Sequence, residues 1–281
     1  MPQDKYTAVW VSHSSMGDFL KCPRAYFLHN VYKDPKTGHK INIVSPATAL
    51  GIAVHETLEP LHNLPVDKRF TRDLLADFTE VWKKVQGSLG GFRSEEEEES
   101  AKERGRAMVQ RVIDHPGPIA QKAVRLPAGH NNMPPNFYLS EEDNIILCGL
   151  VDWLEYREED DSVRIIDFKT GRYEEGEDSL QLPIYLLLLT ALQKRIVSGA
   201  AYWYLDRDDE MVKKTLPPYE EAFAKVLVTA RSVKEARESR AFNCPKGEGG
   251  CFACRPYEAI LKGEAEYVGV GGYKQDLYML S

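Results

Sequence analysis

Residues 163–171 read Val163-Arg164-Ile165-Ile166-Asp167-Phe168-Lys169-Thr170-Gly171. A short run rich in β-branched and aromatic residues, closed by a turn former, predicts a largely buried strand. In a strand, alternate side chains leave opposite faces, so Asp167 and Lys169 share one face and Phe168 enters the core from the other. Just upstream, residues 144–155 carry another apolar run, Asn144-Ile145-Ile146-Leu147-Cys148-Gly149-Leu150-Val151-Asp152-Trp153-Leu154-Glu155, which predicts a companion strand with Asp152 near its end. The polar run 158–161 between them predicts a turn. Antiparallel pairing of the two strands carries Asp152 and Asp167 to a common point. Hard carboxylate oxygens suit magnesium or manganese.

Working outward, Ser179 is a candidate cap and residues 181–196 form a strongly apolar helix. Gln181 and Tyr185 lie four apart on one face of it. A strand is predicted at 200–205, a turn at 206–210, a further strand at 211–216 and a long charged helix at 220–238. Strand, strand, helix, strand, strand predicts a mixed sheet covered by helix on at least one face. Towards the N-terminus the pattern is helical: residues 12–30, a helix opened by Pro46 and running through His55 towards Pro60, then 71–85 and 95–113. Loops are predicted at 33–40 and 127–137. The chain thus divides into a mainly helical region 1–125 that carries Cys22 and His55, an α/β core 126–240, and a cysteine-containing segment 241–281 that packs back on the first region. The predicted fold class is α/β.

The chain has 281 residues and a formal net charge of -7, from 36 Lys plus Arg against 43 Asp plus Glu. A globally acidic chain is a poor candidate for non-specific coating of DNA. It is compatible with an enzyme that confines basic residues to a cleft and uses acid there to hold metal. Residues 1–12 contain no long apolar stretch, and the apolar run 182–192 is shorter than the roughly 20 residues a membrane span requires. An intracellular protein without membrane association is expected. In a reducing compartment the five cysteines are not expected to form structural disulfides.

The predicted acidic centre has a direct chemical use. A divalent ion polarises a phosphate oxygen and activates water, and Lys169 beside it can orient that water or offset developing charge. Gln181 and Tyr185 could hold a phosphate or the lysine. His55, within Gly51-Ile52-Ala53-Val54-His55-Glu56, could share a buried helical face with Gly51 and Ile52 and add an imidazole ligand, with Glu56 or Glu59 as neighbours. Arg24, Tyr26, Arg172, Tyr173, Tyr202, Tyr204 and Arg207 lie near these motifs and could line a DNA path. Arg104, Arg106, Arg111 and Arg125 could form a basic face.

The ordered set of motifs resembles the RecB-like branch of the PD-(D/E)XK nuclease superfamily. It comprises Ser14 and Ser15 with Cys22-Pro23-Arg24, Gly51 with His55-Glu56, Gly149 with Asp152, Asp167-Phe168-Lys169-Thr170-Gly171, and Gln181 with Tyr185. The resemblance implies a restriction-endonuclease-like central sheet. It makes His55, Asp152, Asp167 and the backbone carbonyl of Phe168 ligands to magnesium or manganese, and Lys169 the catalytic lysine. Gln181 and Tyr185 become accessory groups. The implied activity is a DNA nuclease, often an exonuclease of repair, recombination or CRISPR-type adaptation, acting on single strands or accessible ends. A non-catalytic DNA-binding subunit of a repair complex is the alternative. The chain holds no GxxxxGK[ST] loop, so a helicase or a repair or adaptation protein would be a separate partner.

Many relatives of that branch hold an iron–sulfur cluster with one cysteine near the N-terminus and three near the C-terminus. Cys22, Cys251 and Cys254 match that pattern. The usual cysteine after the close pair is replaced by the run Arg255-Pro256-Tyr257-Glu258-Ala259-Ile260, and Cys244, upstream, is the candidate fourth ligand. The resemblance favours a 4Fe–4S cluster. Four thiolates suit structural zinc equally well. Cys148 reads as a small core residue.

Overall fold

The computed structural model describes residues 5–127, 129 and 133–280. In chain order its elements are β1 (Val9–Val11), α1 (His13–Lys21), α2 (Pro23–Tyr26), β2 (Lys40–Ile43), α3 (Pro46–Leu58), α4 (Leu74–Trp82), α5 (Glu95–Asp114), β3 (Asn136–Ser140) and β4 (Ile145–Cys148). They continue with β5 (Trp153–Arg157), β6 (Ser162–Lys169), α6 (Gln181–Leu192), β7 (Val197–Tyr204), β8 (Val212–Lys214), α7 (Tyr219–Ser239), α8 (Arg255–Leu261), β9 (Ala265–Val270) and β10 (Gln275–Leu280). The fold is mixed α/β, with three sheets among the described residues, flanked by helices.

Capping residues set the helix starts. Ser12, Ser45, Asp73 and Ser94 each accept a backbone N–H at the first turn of α1, α3, α4 and α5. Ser94 is followed by Glu95–Glu98, whose charges favour the positive end of the α5 dipole. The predicted helix over 12–30 is interrupted. Cys22 is extended (φ -170°, ψ 119°) and Pro23 opens a new helix. The proline ring disfavours helical backbone at the residue before it, and the break turns Cys22 out of the helix.

The sheet that carries the acidic centre has the order β5-β6-β7-β8. Strands β5 and β6 are antiparallel, β6 and β7 parallel, β7 and β8 antiparallel. Helix α6 is the crossover between the parallel pair. Alternation along β6 divides the core in two. Val163 and Ile165 join Leu154 and the apolar side chains of α6 and α7 on one face. Ile166 and Phe168 join Trp153 and Trp203 against α3, α4 and α5 on the other. A buried aromatic such as Trp203, fully enclosed, is worth about 3–5 kcal/mol relative to alanine. The two filled faces hold β6 rigidly between them.

Several expectations are corrected. Residues 144–155 are not one strand but two, β4 and β5, in different sheets. Gly149 donates to the Pro135 carbonyl, and the segment 149–152 leaves the first ladder before entering the second. Asp152 therefore lies at the start of β5, immediately before Trp153, rather than towards the close of one long strand. The apolar helix stops at Leu192, and residues 197–199 already belong to β7. Of the predicted loop 127–137, positions 128 and 130–132 lie outside the described residues, and 136–137 open β3. Strands β1, β2, β9 and β10 were not expected. Among them β10 pairs parallel with β2 and antiparallel with β9, so the C-terminal strands share a sheet with the N-terminal third of the chain.

Candidate active site

The register of the β5–β6 ladder, Trp153 opposite Ile166 and Leu154 opposite Ile165, places Asp152 across from Asp167 when extended by one position. Both carboxylates are buried. Asp152 Oδ2 accepts the Phe168 backbone N–H at 2.8 Å, which fixes its position against β6. Phe168 itself is buried in the core between Trp153 and Trp203.

Asp167 is held from three sides. Its Oδ1 accepts from Gln181 Nε2 at 2.8 Å and from the Tyr185 hydroxyl at 3.1 Å. The Lys169 ammonium stands 2.9 Å from its Oδ2, in a direction that leaves that buried oxygen without a hydrogen bond. Lys169 also donates to Gln181 Oε1 at 2.5 Å and to Glu175 Oε2 at 3.0 Å. Burial opposes its charge, but Asp167 and Glu175 outweigh burial and hold the ammonium above its ordinary pKa. Tyr185 is raised well above the phenol range by burial and by Asp167, so its hydroxyl remains a donor.

His55 projects from α3 towards the same point. Its Nδ1 lies 2.8 Å from Glu59 Oε1 and 3.6 Å from Asp152 Oδ2. Burial lowers its pKa, yet the Glu59 hydrogen bond and the Asp152 charge prevail and bring it to about 9. Burial and the facing Asp167 push Asp152 up to about 8. The expected buried face shared by Gly51, Ile52 and His55 is corrected: Ile52 is 40 % exposed, and Leu50, Ala53 and Val54 form the inward stripe. Gly51 has a different role. A Cβ there would lie 3.3 Å from Thr170 Oγ1, a tight contact that the threonine side chain would have to yield to by a few tenths of an ångström. Glu56 points away and pairs with Lys84.

His55, Glu59 and Asp152 offer ligand atoms that all lie within 4.8 Å of one another. Asp167 is not part of this group, its carboxylate being engaged by Gln181, Tyr185 and Lys169; the three donors are two carboxylates and one imidazole, a set suited to a hard divalent cation. Two buried carboxylates face each other, one raised in pKa and the other with an oxygen that accepts no hydrogen bond. Lys169 and the raised His55 offset part of this negative charge, and a divalent cation at the His55, Glu59 and Asp152 donors would offset the rest. The residues therefore fit a divalent metal.

Glu175 and His13 also reach this centre, though no spacing in the sequence points to them. Glu175 lies on the loop after β6, and its backbone N–H donates to the Tyr204 hydroxyl at 3.2 Å. Burial opposes its charge, but bonds from Ser179 and Lys169 hold its carboxyl below the usual range. His13 begins α1 with its Nε2 3.5 Å from Ser179 Oγ, and burial lowers its pKa. Neither residue sits in a spaced motif. The loop after β6 brings Glu175 to the lysine, and the start of α1 brings His13 to the same region.

The proposed DNA-path residues divide. Tyr26, Tyr202 and Tyr204 are buried and cannot stack on a base. Arg24 is paired with Glu258, and Arg207 with Glu174 and Asp208. Arg172 and Tyr173 are exposed. The predicted basic face is largely neutralised: Arg104 binds Asp206, Arg111 binds Asp209, Arg106 approaches Glu103, and Arg125 donates to the His62 carbonyl.

A second cluster lies where the chain ends meet. Cys22, Cys244, Cys251 and Cys254 bring their sulfurs within 4.8 Å of one another, and Cys148 lies apart, its thiol donating to the Val11 carbonyl. Backbone N–H groups of Cys254 and Ala253 lower the Cys251 thiol to about 6, and burial raises Cys22 to about 12. Gly250 has φ +67°, and a Cβ there would lie 3.1 Å from Cys254 Sγ. Glycine is thus needed both for the turn and for the approach to the sulfur. The four thiolates fit either zinc or an iron–sulfur cluster. Around them Arg24 Nε donates to Glu258 at 2.6 Å, and His29, bonded to Asp18, stacks on Tyr257 at 5.2 Å.

The family model for the PD-(D/E)XK nuclease superfamily matches residues 10–259. No curated protein matches the chain in sequence.

Proposed function

The chain belongs to the PD-(D/E)XK nuclease superfamily, and from that premise we propose that it is a divalent-metal-dependent deoxyribonuclease of the RecB-like branch, acting as an exonuclease in repair, recombination or CRISPR-type adaptation. The observation that carries this reading is the placement of Asp152 across from Asp167 with the Lys169 ammonium 2.9 Å from the latter.

In this reading His55, Asp152, Asp167 and the Phe168 carbonyl hold magnesium or manganese, and the nearness of Glu59 adds a further oxygen donor. When bound, the ion supplies Lewis acidity at a phosphate oxygen and at a water. Lys169 remains protonated through neutral pH, so it serves as a donor rather than a base. Its ammonium orients the attacking water and offsets the negative charge that builds on the phosphate. Gln181 fixes the ammonium and Asp167 at once, and Tyr185 keeps Asp167 Oδ1 directed by donating to it. Preset geometry of this kind lowers the barrier because no group needs to reorganise during reaction.

The four cysteines are proposed to hold a 4Fe–4S cluster that ties α2 to α8, with structural zinc as the other occupant of the same thiolates. Anaerobically purified protein should then be brown; a colourless protein with one zinc per chain replaces the cluster by zinc.

The decisive assay uses end-labelled single- and double-stranded DNA, linear and circular, with magnesium or manganese. Wild type should shorten linear DNA, whereas Lys169→Ala and Asp167→Ala should be inactive yet folded. Unchanged cleavage by clean Lys169→Ala protein sinks the catalytic assignment. Cutting of closed circles sinks the exonuclease assignment.

A further inference from the structure

A cavity of about 470 Å³ opens beside Asp152, and neither Lys169 nor Gln181 lines it. Arg125, Leu126, Met133, Leu150 and Tyr273 line it together with Asp152. Five separate parts of the chain meet there: residues 62–63, the 124–126 segment that flanks β5, residues 133–135 before β3, the stretch that links β4 to β5 together with Leu154, and the turn between β9 and β10. From these walls we infer that the cavity is a nucleobase subsite, which receives one unstacked base of the strand whose phosphate lies at Asp152. The inference rests on the nuclease reading and extends it to the form of the substrate.

Charge narrows the occupant. Apart from Asp152 the described lining holds no carboxylate, while Arg125 contributes a cation. Arg125 uses Nε and one terminal nitrogen on the His62 carbonyl, and the rest of its guanidinium remains available to a phosphate or a base edge. The other walls are chiefly apolar and suit a flat, uncharged π system.

Exposure narrows it further. Leu150, two residues before Asp152, is 60 % exposed, and Tyr273 is 90 % exposed. An exposed leucine beside a buried acidic centre and an uncovered tyrosine in the same lining offer apolar surface to a flat ligand. Aromatic side chains of this kind serve as stacking platforms for unpaired bases, with little preference among sequences.

Connectivity supplies the third argument. A phosphate held at Asp152 carries its own nucleoside with it, and the adjoining base must go somewhere within one nucleotide of the metal ligand. The cavity shares Asp152 with the acidic centre, so it lies within that reach. In a duplex the faces of a base are covered by its neighbours, and a base must leave the stack to enter a slot. The subsite thus selects single strands or frayed ends over intact duplex.

The test separates this subsite from the activity itself. Lys169→Ala protein with manganese is titrated against single-stranded oligonucleotides carrying 2-aminopurine at successive positions. One position should be quenched on binding, and Tyr273→Ala or Leu150→Ser added to Lys169→Ala should abolish the quenching. In cleavage, kcat/KM of wild type should fall roughly tenfold when that nucleotide is abasic. Tyr273→Ala should cut the abasic and base-bearing strands at equal rates. If wild type cleaves DNA but quenching survives both substitutions, the subsite is wrong and the nuclease reading stands. If wild type cuts nothing while quenching occurs and depends on Tyr273, the nuclease reading is wrong and the subsite stands. If wild type cleaves DNA but no position is quenched on binding, the subsite falls alone; if wild type neither cuts DNA nor any binding occurs, both readings fall.

Discussion

Gln181 donates its amide nitrogen to Asp167 Oδ1 at 2.8 Å, and its amide oxygen accepts from Lys169 at 2.5 Å. One neutral side chain at the start of α6 therefore spans the carboxylate and the ammonium of β6. Both bonds involve a charged partner, and such bonds contribute about 1.5–3 kcal/mol each. Gln181→Ala should lower kcat by roughly a hundredfold, with the fold retained. Gln181→Glu keeps an acceptor for Lys169 but sets a second carboxylate against Asp167, so it should be no more active than alanine. Steady-state kinetics decide; an alanine variant within threefold of wild type removes Gln181 from the machinery.

Glu175 is the second anchor of Lys169, at 3.0 Å. It differs from Gln181 because its own position depends on a loop bond to the Tyr204 hydroxyl. Glu175→Gln preserves an acceptor oxygen while it removes the charge. Glu175→Ala removes both. The expected order of kcat is wild type, then Gln, then Ala, with the last about tenfold down. Gln181 and Asp167 still hold the lysine, which limits the loss. Equal rates for all three proteins would show that the contact is incidental.

The parts of this site that were legible in the sequence are those fixed by local periodicity. Asp167, Phe168 and Lys169 occupy successive positions of one strand, so their opposite faces follow from the pleat alone. Gln181 and Tyr185 follow equally from one helical turn. Glu175 and His13 obey no such spacing, because a loop and a remote helix start deliver them. Residues 144–155 misled for a physical reason. An unbroken apolar run looks like one strand, and only tertiary pairing reveals that Gly149 and Leu150 leave one sheet and approach another. Strands β9 and β10 escaped because much of that sheet is half-exposed. Tyr267 and Val270 face outward, so the apolar alternation that marks a buried strand is absent. The tyrosines and arginines named for a DNA path show the reverse error. Nearness to a motif in sequence does not decide whether a side chain ends in the core, as Tyr26 and Tyr204 do, or in an ion pair, as Arg24 does.

Cys22 and Cys148 provide an internal comparison of two thiols on the same chain. Cys22 belongs to the four-sulfur group that joins α2 to the segment before α8, whereas Cys148 sits half-buried at the end of β4. Loss of one ligand from a structural metal site removes binding free energy that is coupled to folding. Cys22→Ser should therefore destabilise by roughly 3 kcal/mol or more and reduce bound metal. Serine at 148 can still donate to the Val11 carbonyl, and its cost should stay within about 1 kcal/mol. Thermal melts with metal analysis test this. Equal small losses for both variants would deny the cluster its fastening role.

The pairing of Asp152 with Asp167 makes stability depend on pH in a direction opposite to that of most carboxylates. Asp152 rises to about 8 on folding, from an ordinary value of 3.8, because it is buried and faces Asp167. Between those limits the folded chain holds a proton that the unfolded chain has released. This contribution to stability is complete below pH 4 and is lost as pH rises through 8. His55 acts in the same sense: it rises from 6.5 to about 9 through Glu59 and Asp152 despite its burial, so its contribution is lost as pH passes 9. Metal-free protein should therefore become less stable from pH 6 to pH 9. Asp152→Asn removes the buried charge and keeps an acceptor for the Phe168 N–H. It should abolish cleavage, yet in the presence of a chelator it should be more stable than wild type at pH 9 by on the order of 2 kcal/mol. Manganese has to displace the protons on Asp152 and His55, so its affinity for wild type should climb between pH 6 and pH 8 by about tenfold per pH unit for each proton released. Chelator melts and manganese titrations at three pH values measure both effects. A wild type whose metal-free stability is flat over this range, with manganese affinity equally flat, would mean that the two carboxylates do not share a buried charge.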